Sequence, residues 1–315
     1  MSAVSLVGFA VVFVLVAGVT SAALAALAPR LRRRGPATER RLVELAAVVP
    51  VILAGAVVLV LLIESLVGLD HCDNHGDHAH LCLRHGLAWA ERPWALALLL
   101  GAGVLVLTRG AALMTTLLRG WHAVARLRAA LPASGVHLVE SPRVFCFVAG
   151  LRHPAVYAST AARAALADDE WAAMLAHERG HVTERDLGRR LRLELALLLA
   201  APGLAGSLRA RWDAATERLR DVDAAAATSA DAVARALVRM ARAQRGPVPV
   251  GMIAAFAPPP PLLAERVHAM LDEAPTGVAS ARRLARQVGL AGLVVVGLTI
   301  SFAGPLHHAL ESLLG

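Results

Sequence analysis

The sequence predicts a multi-span α-helical membrane protein with one α+β domain, a small antiparallel sheet plus helices, set between its third and fourth spans. Three observations lead there. Hydrophobic residues fill 57% of the 315 positions and the mean hydropathy is +0.58, the composition of a membrane chain. Four apolar runs are long enough to cross about 30 Å of hydrocarbon. Between the third and fourth, short apolar runs separated by turn residues give way to helical periodicity.

The first span is expected over residues 5–28, inside the uncharged stretch Met1 to Pro29. A cleaved signal peptide is shorter and begins with Lys or Arg, so a retained span is the reading. The second covers 45–63, between Glu44 and Glu64, and the fourth 288–306. The third, 93–118, is interrupted by Arg109, which is expected to snorkel to the interface or face the protein interior. Residues 1–119 thus hold three spans and a His- and Cys-rich loop over 70–91. Residues 120–286 form the domain, and 287–315 the last span with a short tail.

Arginines near span ends stay on the cytoplasmic side. Arg30, Arg32, Arg33, Arg34, Arg40 and Arg41 fall between spans one and two, and Arg119, Arg126 and Arg128 follow span three. The domain is therefore expected in the cytoplasm, with both termini and the loop 70–91 outside. The net charge of +8 is mostly topological: these arginines flank apolar spans and are not interleaved with aromatics, so no nucleic-acid partner is expected. The lipid bilayer is the expected partner instead.

In the domain, Val136 to Val139, Val144 to Val148 and Ala155 to Ala158 read as strands separated by Ser-Pro, Gly and His-Pro breakers. A helix follows, with Asp168 as N-cap and Asp169 and Glu170 against its positive end. On it lies the run His177, Glu178, Arg179, Gly180, His181. A spacing of four puts both imidazoles on one helix face, as zinc requires, and Glu178 beside them has the chemistry of a general base in a metalloprotease. An ordinary surface helix carrying these residues is the alternative.

A catalytic zinc keeps three protein ligands. Glu184 follows His181 on the same helix and is poorly placed. Glu217, on a second helical stretch from Trp212 to Asp223, is the better candidate, with Asp221 one turn later able to orient a ligand His. A solvated helix with both as surface charges is the alternative. The intervening apolar run, Leu195 to Leu208, is too short to span; a crossing would also separate Glu217 from the histidines. It is expected as an apolar helix and turn on the bilayer or against the spans. Cys146, in a strand, reads as a small core residue.

These residues resemble the membrane zinc peptidases of the BlaR/MecR antibiotic-sensor type, related to the heat-shock protease HtpX and the CAAX prenyl endopeptidases. In those families a strand, a helix start, an HExxH helix and a later ExxxD helix follow in order. Val144 to Val148, Leu166 to Trp171, His177 to His181 and Glu217 to Asp221 match them here, and the run LAHERGHVTERD places Asp186 where the BlaR/MecR type has an Asp. The resemblance implies one catalytic zinc on His177, His181 and Glu217, Glu178 as base, and Asp186 as a supporting group. It also implies a protein substrate, with a transcriptional repressor as one class. In the CAAX and HtpX group a His-Pro-Pro segment and a following Arg lie near the substrate. Pro258 to Pro261 and Arg266 are similar, but the His is missing and the spacing differs by one. Tyr157 and His268 are the alternatives to Arg266 as transition-state stabiliser. Receptors of the sensor type carry an extracellular ligand-binding domain after the last span. This sequence stops at Gly315, so no β-lactam sensor is expected.

The outer loop holds His71, Cys72, His75, His78, His80, Cys82 and His85. A Cys72–Cys82 disulfide and a second zinc or copper site both fit these residue types, as does no function at all. The expected activity is thus a zinc-dependent metalloendopeptidase at the cytoplasmic membrane face, serving regulatory signalling. A non-proteolytic membrane metal sensor is the alternative, and a transporter is disfavoured by the lack of paired intramembrane carboxylates.

Overall fold

The computed structural model describes residues 10–19, 35–67, 93–130, 136–200 and 202–243, with positions 263, 266 and 267. The ends of the first span, the fourth span, the loop 70–91 with its cysteines and histidines, Pro258 to Pro261 and His268 lie outside the described residues.

Helix α1 is Ala10–Val19. Helices α2 (Pro36–Val67) and α3 (Pro93–Ala130) hold 32 and 38 residues, so they run about 48 and 57 Å at 1.5 Å per residue. Both are long and apolar enough to cross a membrane. Their large apolar side chains, among them Ile52, Leu59, Leu66, Leu100 and Leu107, are exposed, as lipid-facing residues are. Helix α3 does not stop at the expected span end. It continues through Ala130, and its Val124 and Leu127 pack onto the sheet.

The sheet corrects one expectation. It has three strands, β1 (Val136–Val139), β2 (Cys146–Ala149) and β3 (Ala155–Ser159), in the order β1-β3-β2. It is mixed and not antiparallel: β2 pairs β3 antiparallel, but β1 pairs β3 parallel, Val136 opposite Val156. The connection 140–145 explains this. It crosses the end of β3, where Ser159 N–H donates to Phe145 O at 3.0 Å and Phe145 N–H donates to Ser159 Oγ at 3.1 Å. That crossing delivers β2 to the far side of β3. The Ser159 hydroxyl also accepts from Ala162 N–H and caps helix α4 (Thr160–Ala165).

Helix α5 (Asp168–Thr183) starts one residue earlier than expected. Ala167, and not Asp168, is the N-cap, and Glu170 Oε2 accepts the Ala167 N–H at 3.0 Å. One sheet face, with Phe147, Ala149 and Tyr157, packs on α3, while Cys146 on the other packs with Leu166, Trp171 and Met174 beside α5. Arg185, at φ 53°, turns the chain sharply into α6 (Asp186–Ala196). A non-glycine residue in this left-handed region costs about 1 kcal/mol. The turn returns Asp186 towards His181.

Helix α7 (Pro202–Ala227) contains the expected stretch Trp212 to Asp223, and α8 (Ala230–Ala243) follows. Pro202 begins a helix, where its missing N–H is harmless. The small residues Ala173, Ala224, Ala232 and Val233 pack α5, α7 and α8 together. Leu193, Leu197, Ala205, Leu208 and Trp212 pack against Val43 and Ala47 of α2. The apolar run Leu195 to Leu208 is therefore a helix end, a turn and a helix start lying against α2. Arg109 of α3 donates to the carbonyls of Leu197 at 2.9 Å and Leu198 at 3.1 Å, and to Ala200 O. It faces the protein and caps the end of α6.

Arg40 also departs from its reading as a loop charge. It is buried at 5% exposure and bonded to Asp186, because α2 begins at Pro36 and carries residue 40 into the domain.

Candidate metal centre

Two helices build the site. On α5, His177 and His181 lie one turn apart with their Nε2 atoms 3.2 Å from one another. Helix α7 crosses beside them, and Glu217 brings Oε2 to 3.5 Å from His177 Nε2 and Oε1 to 3.6 Å from His181 Nε2. One ligand atom from each of the three residues lies within 4.8 Å of the others. Each imidazole turns its other nitrogen to a carboxylate: His177 Nδ1 is 2.9 Å from Asp221 Oδ1, and His181 Nδ1 is 2.9 Å from Asp186 Oδ2. Hydrogen bonds at Nδ1 leave both Nε2 atoms as donors to a metal. Two imidazoles and one carboxylate, with no thiolate, fit zinc with an open fourth position.

The charges are closely balanced. Burial disfavours the His177 imidazolium, but hydrogen bonds and charge from Asp221 and Glu217 outweigh it and push its pKa up to about 10. Burial also opposes charge on Glu217, yet the bond to His177 and the charges of His177, His181 and Arg266 hold its carboxyl well below the ordinary range. Glu178 behaves differently. Burial raises its carboxyl above the ordinary value, against the pull of His181 and His177. The same cause pushes the Cys146 thiol up, with Glu178 adding to it. Cys146 is a packing residue, against Leu166, Trp171 and Met174.

Arg266 reaches the centre from beyond α8. Its Nε and Nη2 donate to Asp221 Oδ2 at 2.7 Å and Oδ1 at 2.5 Å, and its Nη1 is 3.1 Å from Glu217 Oε2. All three nitrogens face carboxylates. Arg266, expected to stabilise a reacting oxygen, here holds Asp221 and Glu217. Tyr157, the alternative for that role, lies elsewhere. It is fully buried on the sheet face that packs on α3, stacked between His137 and Phe147, and strand alternation points it away from α5. Glu184 pairs with Arg189 and Arg40 and takes no part in the ligand set.

Two residues that sequence reasoning missed stand behind the ligands, Arg40 and Arg220. Arg220 is 2% exposed, donates to Gly180 O at 3.2 Å and lies 3.2 Å from Asp186 Oδ2. A Cβ on Gly180 would meet Arg220 Cδ at 2.8 Å, whereas one on Gly188 would meet nothing within 4 Å. A glycine inside a helix next to a metal motif is the signal for such a close approach. Opposite outcomes are expected at these two glycines. Gly188→Ala should raise stability by about 0.5–1 kcal/mol. Gly180→Ala should lower it by about 1–2 kcal/mol, since overpacking exceeds the gain in helix propensity. Thermal unfolding of the metal-free full chain reads both.

The model of peptidase family M48 matches residues 116–270, just under half of the chain, from the end of α3 across the sheet and the site helices to just beyond Arg266. The match supports a metallopeptidase of that family. No curated protein and no solved structure matches the chain.

Proposed function

We propose that this M48-type metallopeptidase is an integral-membrane, zinc-dependent endopeptidase that hydrolyses peptide bonds of a protein substrate at the cytoplasmic membrane face. The observation that carries the reading is the convergence of His177, His181 and Glu217, with both Nδ1 atoms held by buried carboxylates. Zinc bound there would supply Lewis acidity, polarising the scissile carbonyl and making water nucleophilic near neutral pH. Glu178, with its carboxyl raised by burial, would take a proton from the attacking water and hand it to the amide nitrogen as the C–N bond breaks. Asp221 and Asp186 would fix the two imidazoles, and Arg266 would fix Asp221.

Among the described residues β2 pairs only with β3, and its Cys146 packs with Trp171 and Met174 of α5, the helix that carries Glu178. An extended substrate segment on that edge would pass the site. Membrane residence is supported by α2 and α3, which meet the domain near opposite ends of their sequences, at Arg40 and at Val124, as antiparallel spans of one bilayer would. The arginines of residues 30–34 support a cytoplasmic position for this side. A regulatory role with a transcriptional repressor as substrate rests on the resemblance to the BlaR/MecR type. A second ion, or a disulfide, in the outer loop remains part of the same proposal.

The test is a zinc titration of the metal-depleted full chain in detergent. About one ion should bind tightly at the three-ligand site, and protease activity should return with it. His177 carries a proton at neutral pH in the metal-free site, so binding must displace that proton. Apparent affinity should therefore rise about tenfold per pH unit from about pH 7 to 8.5. The same proton stabilises the metal-free fold, fully below the ordinary imidazole value of 6.5 and progressively less as pH rises through about 10. A pH-independent affinity, or no binding, would refute this assignment.

A further inference from the structure

The start of α2 reaches the metal centre. Arg40 Nη1 donates to Asp186 Oδ1 at 3.0 Å, both side chains being nearly buried at 6% and 5% exposure. Asp186 Oδ2 in turn lies 2.9 Å from His181 Nδ1. Arg220 also approaches Asp186 Oδ2, at 3.2 Å, but its Nε lacks hydrogen-bond alignment, and its Nη1 is engaged by Gly180 O and Asp223. Among the described residues, Arg40 is therefore the guanidinium whose hydrogen bond holds Asp186.

We propose that Arg40 is a positioning residue for His181, acting through Asp186, so that the apolar helix α2 forms part of the metal centre. This rests on the zinc reading above. A carboxylate that fixes one imidazole nitrogen sets the ring's orientation and the direction of the other nitrogen. It can do so only if it is itself held. Asp186 is the first residue of α6, straight after the left-handed Arg185, and Arg40 supplies its anchor on Oδ1. The preceding residue separates this role from docking. Glu39 binds Arg211 at 3.2 Å and Arg218 at 2.7 Å on α7, so it ties α2 to the domain without touching Asp186.

Zinc affinity of the full chain in detergent, measured against a chromophoric chelator, tests the proposal. Arg40→Gln should weaken zinc by about ten- to a hundredfold, the range for groups that orient a ligand. Glu39→Gln should leave affinity near that of wild type. Asp186→Asn should match Arg40→Gln, and the double variant should be no worse than Asp186→Asn alone, because both act through one contact. Arg40→Lys, which keeps the buried charge and with it the fold, should recover part of the loss. The proposal fails if Arg40→Gln binds zinc like wild type, if Glu39→Gln is equally damaging, or if the Arg40 and Asp186 losses multiply. A wild type that binds no zinc would instead sink the functional reading, and this one with it.

Discussion

Glu217→Ala should lower zinc affinity on the order of 10³-fold or more, beyond the ten- to hundredfold that a group orienting a ligand is worth. The size follows from the donor set. Glu217 supplies one of three ligand atoms and sits between the two imidazoles, 3.5 Å from one and 3.6 Å from the other. No other carboxylate replaces it among the described residues: Asp221 and Asp186 are turned to the Nδ1 atoms, and Glu184 is paired with Arg189. Equilibrium competition with a chelator measures the loss. An unchanged affinity would mean that the third ligand lies elsewhere.

Glu178→Gln should reduce peptide cleavage by about 10²–10⁴-fold, the contribution of a positioned general base, while zinc content stays at the wild-type level. The amide matches the carboxylate in shape but cannot accept the proton at neutral pH. Glu178 is not among the three residues whose ligand atoms converge, so metal binding should survive its replacement. Casein or another unfolded protein substrate, with zinc assayed on the same samples, distinguishes this loss from demetallation. A variant that lost zinc along with activity would place Glu178 in the ligand set instead.

Much of the site was legible because it is local in sequence. His177 and His181 share a helix face through their spacing, and Asp186 and Asp221 follow their partners by five and by one helical turn beyond Glu217. The M48 match over residues 116–270 agrees with the metallopeptidase reading at that coarser level. What stayed hidden depends on long-range geometry. The pairing of Arg40 with Asp186 joins positions 146 residues apart, and nothing in a run of arginines beside an apolar stretch marks one of them as buried. The parallel pairing of β1 with β3 depends on how the connection 140–145 crosses the strand end, which strand patterning does not encode. Tyr157 was misassigned because alternation says that it opposes Val156 and Ala158, but not which face carries the motif helix. Arg266 was found by its position after the proline run, yet its function follows only from where its three nitrogens point.

The most direct test of peptide hydrolysis at this centre is to map protein termini in membranes from cells carrying either the wild type or Glu178→Gln at equal abundance. The account predicts a set of new termini, clustered in one or a few membrane-associated proteins, that is present with the wild type and absent with the variant. Identical termini in the two membranes would contradict it.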